Sequence, residues 1–253
     1  MSIPVSCHIL NGDALQNQFP AELPGTQIVA RECLVDGDVS GETLADFWAN
    51  RARFICSCGE ELTREDYHRK TVAEFQKIAA IPPEAEIYLW FEDDLFCLVN
   101  LWFVNFLLKH YQKPNSLFWV RPPAHNQYGF GGLTAKELIT AFENRLPIRS
   151  PGKFARLWQH FQSGDSDGLL QAAKTLQGEF PFLMPAVRAY LESLPAGGNP
   201  GRPARVIGEI LDELPEADFA TVFREFSRRE SIYGFGDLQV QRLFDAVRRN
   251  RKT

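Results

Sequence analysis

What this chain lacks narrows its function first. It contains no H-E-x-x-H, no Walker A loop and no G-x-G-x-x-G, which disfavours a zincin, a P-loop enzyme and a dinucleotide-binding dehydrogenase. Cysteine is sparse and odd in number: Cys7, Cys33, Cys56, Cys58 and Cys97, with none beyond. Such usage suits a reducing compartment. Cys56 and Cys58 form a C-x-C pair without a second pair, so a zinc ribbon or thioredoxin-like site is not expected and the thiols read as structural. The amino terminus, MSIPVSCHIL, has no basic n-region or small-residue cleavage site, and the reading is a cytoplasmic protein without a secretory signal. The longest apolar run, Leu95 to Leu108, is interrupted by Asn100 and Asn105 and is too short to span a bilayer. Internal repeats and low-complexity tracts are absent as well.

A basic excess is also missing. Net charge is −5, with 13 Lys and Arg against 19 Asp and Glu over residues 1–150 and 14 against 13 over 151–253. A general nucleic-acid surface is therefore not expected. Only the tail, Arg248, Arg249, Arg251 and Lys252, is locally basic; it can complement a helix dipole or meet phosphates. The chain is 45% hydrophobic and 23% charged, with twenty Phe and five Trp, which points to well-filled cores rather than disorder. Its 253 residues suit one large or two modest domains.

The order of segments gives the fold class. Val5 to Leu10 reads as a strand closed by Asn11-Gly12-Asp13, with a short helix up to Pro20. Thr26 to Val35 is a second β-rich run, and Ser40 or Gly41 can cap a helix through Leu44, Phe47 and Trp48. Residues 63 to 80 continue as helix behind Thr63 and Asp66, until Pro82 and Pro83. Glu86 to Phe91 is a third strand, followed by a helix over 95–109 that is apolar nearly all round and belongs at the centre of a core. Leu117 to Arg121 is a fourth strand, and Thr134 caps the helix AKELITAFENR. Strands alternating with helices predict an α/β, Rossmann-like domain over 1–149 with a mostly parallel sheet of four or more strands. From residue 150 amphipathic helices follow one another, predicting an all-α carboxyl-terminal region over 150–253 with a loop or linker at 195–203.

HILNGDAL at 8–15, RECLVDGDVS at 31–40, FWANRARF at 47–54, LWFEDDLFCLVNLWFVNFLL at 89–108 and GFGGLT at 129–134 resemble the bacterial family called domain of unknown function 1835. The resemblance covers roughly residues 5 to 190. It implies no particular reaction. It does imply a histidine where this chain has Asp93, and a small helical or winged-helix-like carboxyl-terminal module whose arginine-rich start is partly echoed by Gly201-Arg202-Pro203-Ala204-Arg205.

The most informative feature is a pair of acidic stretches, HILNGDA and YLWFEDDLF, each directly after an apolar run. In a sheet of order 2-1-3-4 the two turns face each other at the switch point, where α/β proteins place ligands. Asp13, Glu92 and Asp94 would then converge, and crowded carboxylates call for a cation, most naturally Mg²⁺ bridging to phosphate. Asn11 and Gly12 would contact the ligand; the N–H groups of Gly12, Asp13 and Ala14 could instead cradle an anion, or the segment could be a turn alone. His8 is the candidate general base beside Asp13 if its ring reaches the strand end, and a core histidine otherwise. Arg121 and His125 are placed to bind phosphate or carboxylate. Gly129–Gly132 reads as a lid or a turn, Asp36 and Asp38 as a turn or as polar contacts, and Arg31 with Glu32 as an ion pair or as side chains that reach the cleft. His68, His110 and His160 belong at the surface. The resulting expectation is a phosphorylated or nucleotide-like small molecule at an acidic cleft, with Mg-dependent hydrolysis as its chemistry. The alternative is a non-enzymatic regulatory protein whose helical carboxyl-terminal part contacts DNA or a protein partner.

Overall fold

Alternation along the strands decides how the sheet is covered. In β1 (Ser6–Leu10) Cys7 and Ile9 enter one core, and Leu10 enters another on the opposite face. β3 (Glu86–Trp90) divides in the same way into Ile87 and Leu89 against Tyr88 and Trp90, and β4 (Leu117–Val120) into Leu117 and Trp119 against Phe118 and Val120. Strands buried on both faces need apolar residues at every position, which is why they read as unbroken runs. With β2 (Thr26–Val29) and β5 (Leu146–Pro147) they form one sheet of order β2-β1-β3-β4-β5. The first four strands are parallel and β5 is antiparallel. This computed structural model describes residues 5–58, 62–113, 116–124 and 128–251.

The smaller face is covered by α1 (Asp13–Asn17) and α6 (Ala135–Glu143), through Leu15, Leu138 and Ala141, and by Phe130 from a 3₁₀ turn, Gly129–Gly132. The larger face takes α2 (Leu44–Ser57) and a helical run made of α3 (Arg64–Tyr67), a π turn at His68–Val72, α4 (Ala73–Gln76) and a 3₁₀ turn at Lys77–Ala80. It also takes α5 (Leu95–His110), whose buried residues point in nearly every direction. The helices beyond residue 150 pack on this side too: α7 (Pro151–Gln162), α8 (Ser166–Lys174), α9 (Leu183–Ser193), α10 (Arg202–Glu213), α11 (Phe219–Arg229) and α12 (Asp237–Asn250). One continuous core runs from Cys7 to Phe244. The shift to helices near residue 150 is thus a change of secondary structure without a break in packing.

Several boundaries differ from the sequence reading for local reasons. Thr43, not Ser40 or Gly41, caps α2: its hydroxyl accepts from Asp46 N, and the Asp46 carboxylate accepts from Thr43 N. The second β-rich run leaves the sheet after Val29: Ala30 N–H still donates to Leu10 O at 2.8 Å, and farther on side chains take over its polar groups, Cys33 N–H donating to Glu32 Oε2 at 2.9 Å and Leu34 N–H to Asn100 Oδ1 at 3.2 Å. Asp165 caps α8, which composition alone did not single out. Thr63 and Thr134 cap the helices expected of them.

The loop after β2 encloses a charged pair. Arg51 and Glu32 are both buried, and Arg51 donates from Nε and Nη2 to the carboxylate at 3.2 and 2.8 Å. Its Nη1 donates to the carbonyls of Asp36 and Asp38, and Tyr67 donates its hydroxyl to Glu32. Removing one partner leaves the other charge buried and alone, a loss of about 3–5 kcal/mol. Urea unfolding should show a loss of that size for Arg51→Met, and recovery of much of it in the double variant Arg51→Met, Glu32→Leu.

Candidate functional site

Topology creates a crevice between the ends of β1 and β3. The chain leaves β1 toward β2 through α1 on the smaller face, and leaves β3 toward β4 through α5 on the larger face. The loops therefore part at the carboxyl edge between these neighbours, the place where open α/β sheets bind ligands. A cavity of about 720 Å³ lies there. Asn11 from the end of β1, Glu92, Asp94, Phe96 and Cys97 from the end of β3, and Tyr128 and Gly129 from the loop after β4 all line it. The rest of the lining comes from α11 and the turn after it: Phe223, Arg224, Glu225, Phe226, Ser227, Arg228, Glu230, Ser231, Gly234 and Phe235.

Asp94 is the N-cap of α5, its Oδ1 accepting from Cys97 N at 2.9 Å. Cys97 is the third residue after Asp94, so the same helical turn that caps the helix sets the Cys97 thiol beside the carboxylate. Donor atoms of Glu92, Asp94 and Cys97 all lie within 4.8 Å of one another. Glu92 Oε1 accepts from Phe130 N at 3.2 Å, whereas its Oε2 is shielded from solvent and has no hydrogen-bond partner among the described residues. Burial holds the Glu92 carboxyl above the ordinary range. Burial and then the Glu92 charge raise Asp94 to about 7. Burial, reinforced by the two carboxylates, lifts the Cys97 thiol well above its usual value.

Two glycines close over the carboxylates. A Cβ on Gly129 would meet Glu92 Oε1 at 2.6 Å, and one on Gly234 would meet Asp94 Oδ1 at 2.0 Å. The loop after β4 and the turn after α11 are thus laid directly on the acidic pair.

The structure brings together some of the expected residues and separates others. Glu92, Asp94 and Asn11 meet in the crevice. Asp13 does not join them: its side chain is 57% exposed and pairs with Arg31 Nε at 2.7 Å. Arg31 thereby pairs across to α1, while Glu32 turns inward to Arg51, so the two do not pair with each other. Gly12 has positive φ and open space around it and serves the turn. His8 cannot act as a general base because both ring nitrogens are occupied: Trp90 Nε1 donates to Nδ1 at 3.1 Å and Nε2 faces Pro24 O at 3.3 Å. Arg121 is held by Asp93, the residue at the position where histidine was implied, and lies over the Phe182 ring at 4.1 Å. His125 and Lys252 lie outside the described residues. Arg251 of the basic tail is paired with Asp212 at 2.9 Å. His160 is only partly at the surface and bonds Asp165 at 2.8 Å.

A pentapeptide of serine-hydrolase form, Gly164-Asp165-Ser166-Asp167-Gly168, escaped the sequence reading. It lies at a helix-to-helix turn, where Asp165 caps α8, and not at the strand-to-helix turn that presents a nucleophile. Cys97 was also missed as a member of the site, although its spacing from Asp94 is a usable signal. The residues from α11 to Phe235 had none, because only tertiary packing brings them to the sheet edge. Fold and site define an α/β protein with helices on both faces of a mostly parallel sheet and a ligand-sized crevice at its switch point. Comparison with protein-family models, curated proteins and solved structures gave no match to this chain.

Gly12 and Gly234 share positive φ, +90° and +62°, but only Gly234 is crowded. Alanine incurs backbone strain of about 1–2 kcal/mol at Gly234, in the left-handed region, and of about 1–3 kcal/mol at Gly12, whose ψ of 165° with positive φ is a glycine conformation. Gly12→Ala should lose no more than its strain by thermal or urea unfolding, whereas Gly234→Ala should lose well beyond about 2 kcal/mol; a Gly234→Ala loss within about 1–2 kcal/mol would contradict the close approach to Asp94.

Burial lowers the His8 pKa to about 4, below the value near 6.5 of an unfolded chain. The native state then binds fewer protons than the unfolded one, so this contribution is complete above about pH 6.5 and fades as pH falls toward 4. Unfolding curves at pH 7 and pH 5 should show a larger acid loss for wild type than for His8→Gln.

Proposed function

We propose that the crevice binds a phosphorylated or nucleotide-like small molecule together with a divalent cation held at Glu92 and Asp94, and that hydrolysis of this molecule is the chemistry it serves. The observation that carries the reading is the make-up of one cavity: two shielded carboxylates at the end of β3 share it with Arg224 and Arg228 of α11. An anionic ligand beside two carboxylates needs a cation between them, and guanidinium groups suit its phosphate oxygens. Arg224 donates to Thr221 Oγ1 and forms no ion pair among the described residues, so it can turn to a ligand without breaking one. Phe96, Tyr128, Phe223 and Phe235 add aromatic surface of the kind a base or sugar ring covers. Kinship with the family called domain of unknown function 1835 belongs to the same proposal and rests on the five segments quoted above.

The reading is tested by thermal unfolding with a panel of nucleotides and sugar phosphates, each with and without Mg²⁺, Mn²⁺ or Zn²⁺. A true ligand at about 100 times its Kd adds about 2.7 kcal/mol of stability. The expected result is a rise in Tm that needs both ligand and cation, shrinks in Arg224→Glu and disappears in Asp94→Asn. No response across the panel would overturn it.

A further inference from the structure

The amide side chains behind the acidic pair have only one consistent orientation, and it aims a donor at sulfur. Leu34 N–H is an unambiguous donor, so the Asn100 atom 3.2 Å from it is the oxygen. Asn100 Nδ2 must then face the Glu32 carbonyl at 2.7 Å and Asn11 at 2.9 Å. The Asn11 atom meeting it is Oδ1, which leaves Asn11 Nδ2 directed at Cys97 Sγ, 3.0 Å away. An N–H aimed at sulfur from a rigid, buried network favours the thiolate and is the outer support typical of a metal-bound ligand. A second observation concerns Glu92 itself: its Oε2 is shielded from solvent and no donor among the described residues meets it in hydrogen-bonding geometry, although the Cys97 and Asn11 side chains lie close enough to act on the carboxylate. A buried carboxylate oxygen without a donor is costly unless something of positive charge meets it.

We infer that Glu92, Asp94 and Cys97 form a three-ligand site for a thiolate-accepting transition-metal ion of the Zn²⁺ type, not for Mg²⁺. The inference rests on the cation part of the proposed function and specifies its class. Mg²⁺ takes oxygen ligands in octahedral geometry, whereas Zn²⁺ accepts sulfur and oxygen together in four-coordination. Asp94 Oδ1 is engaged by the helix cap, so Oδ2 is the oxygen available to the ion. Tetrahedral ligands at about 2.0–2.3 Å from an ion stand roughly 3–4 Å apart, so the present spread of up to 4.8 Å closes by about 1 Å on binding. Binding replaces the S–H proton of Cys97 by the metal and releases that proton to solvent, along with any proton shared by the carboxylates. Three protein ligands leave a fourth position open toward the cavity, where an oxygen of a phosphate ligand or a water can bind.

Cobalt(II) makes the sulfur visible, because a thiolate–cobalt bond absorbs in the near ultraviolet. The full-length chain, stripped by chelator, is titrated with Co²⁺ and then challenged with Zn²⁺ or Mg²⁺. Expected are a thiolate band in wild type, its loss in Cys97→Ser, displacement of Co²⁺ by Zn²⁺ and none by Mg²⁺ at equal concentration. Glu92→Gln and Asp94→Asn keep the sulfur and should weaken Co²⁺ binding by at least about tenfold; they serve the test if Cys97→Ser does not fold. Absence of the band in wild type, its persistence in Cys97→Ser, unchanged affinity in both carboxylate variants, or displacement by Mg²⁺ would overturn the assignment. A ligand-dependent Tm rise with Mg²⁺ in a protein lacking the band would overturn only the thiolate assignment. No band together with no response to any cation and ligand would overturn the proposed function as well.

Discussion

The contact on which the carboxyl edge of the sheet depends is the bond from Leu34 N–H to Asn100 Oδ1. It sits on α5, a helix otherwise apolar on nearly every side, where an unsatisfied amide would cost about 1–3 kcal/mol. Asn100 is fully used: it ties the loop after β2 through Glu32 and Leu34, and the loop after β1 through Asn11. The two loops and the first turns of α5 are thereby locked in one arrangement. Nearby, Arg51 gathers the carbonyls of Asp36 and Asp38 and fixes the far end of the β2 loop. With these loops held, the end of β3 has little freedom left, and the positions of Glu92, Asp94 and Cys97 follow.

That rigidity accounts for a site that otherwise opposes its own formation. Two carboxyl groups and a thiol held this close repel once ionised, and all three are held toward their protonated forms. The carboxyl-terminal helices aggravate the situation by shielding them. Gly234 presses on Asp94 where any side chain would collide, and Phe223 to Phe235 finish the cavity wall. Such an arrangement is held in place by the continuous core beneath it, which joins the sheet, α5 and the later helices. The cover and the acidic pair are therefore mechanically one unit.

The charges placed elsewhere show how readily ionisable groups near the sheet edge become structural. Asp13 and Arg31 neutralise each other in the open, Asp93 and Arg121 do so half-buried, and Glu32 and Arg51 do so in the interior. Arg242 from α12 reaches Asp36 and Cys58 and fastens the last helix to the α/β part. Among them, Asp13 and Arg121 were candidates for ligand contact in the sequence, and Asp36 was part of a turn or a polar contact. What distinguishes Glu92 and Asp94 is that neither has a cationic partner among the described residues.

The amino-acid order alone determined the βαβ succession, the mostly parallel sheet and the central position of α5, because these follow from short-range periodicity and from the rule for strand connections; that β1 lies beside β3, so that their ends meet, was a supposition which the tertiary structure decided. It also determined the caps at Thr63 and Thr134, which act within four residues. It could not determine which charges pair. Asp13 and Glu92 look alike in sequence, yet a long arginine from the loop after the neighbouring strand reaches one, and the burial that isolates the other comes from loops and helices far along the chain. The antiparallel β5, only two residues long, carries too little pattern to be read. Cys97 needed both its spacing from Asp94 and the amide chain from Leu34 through Asn100 and Asn11 to become part of a site. Gly234 and α11 reach that site only through packing, since no local preference in a segment 140 residues beyond Asp94 records what it will cover.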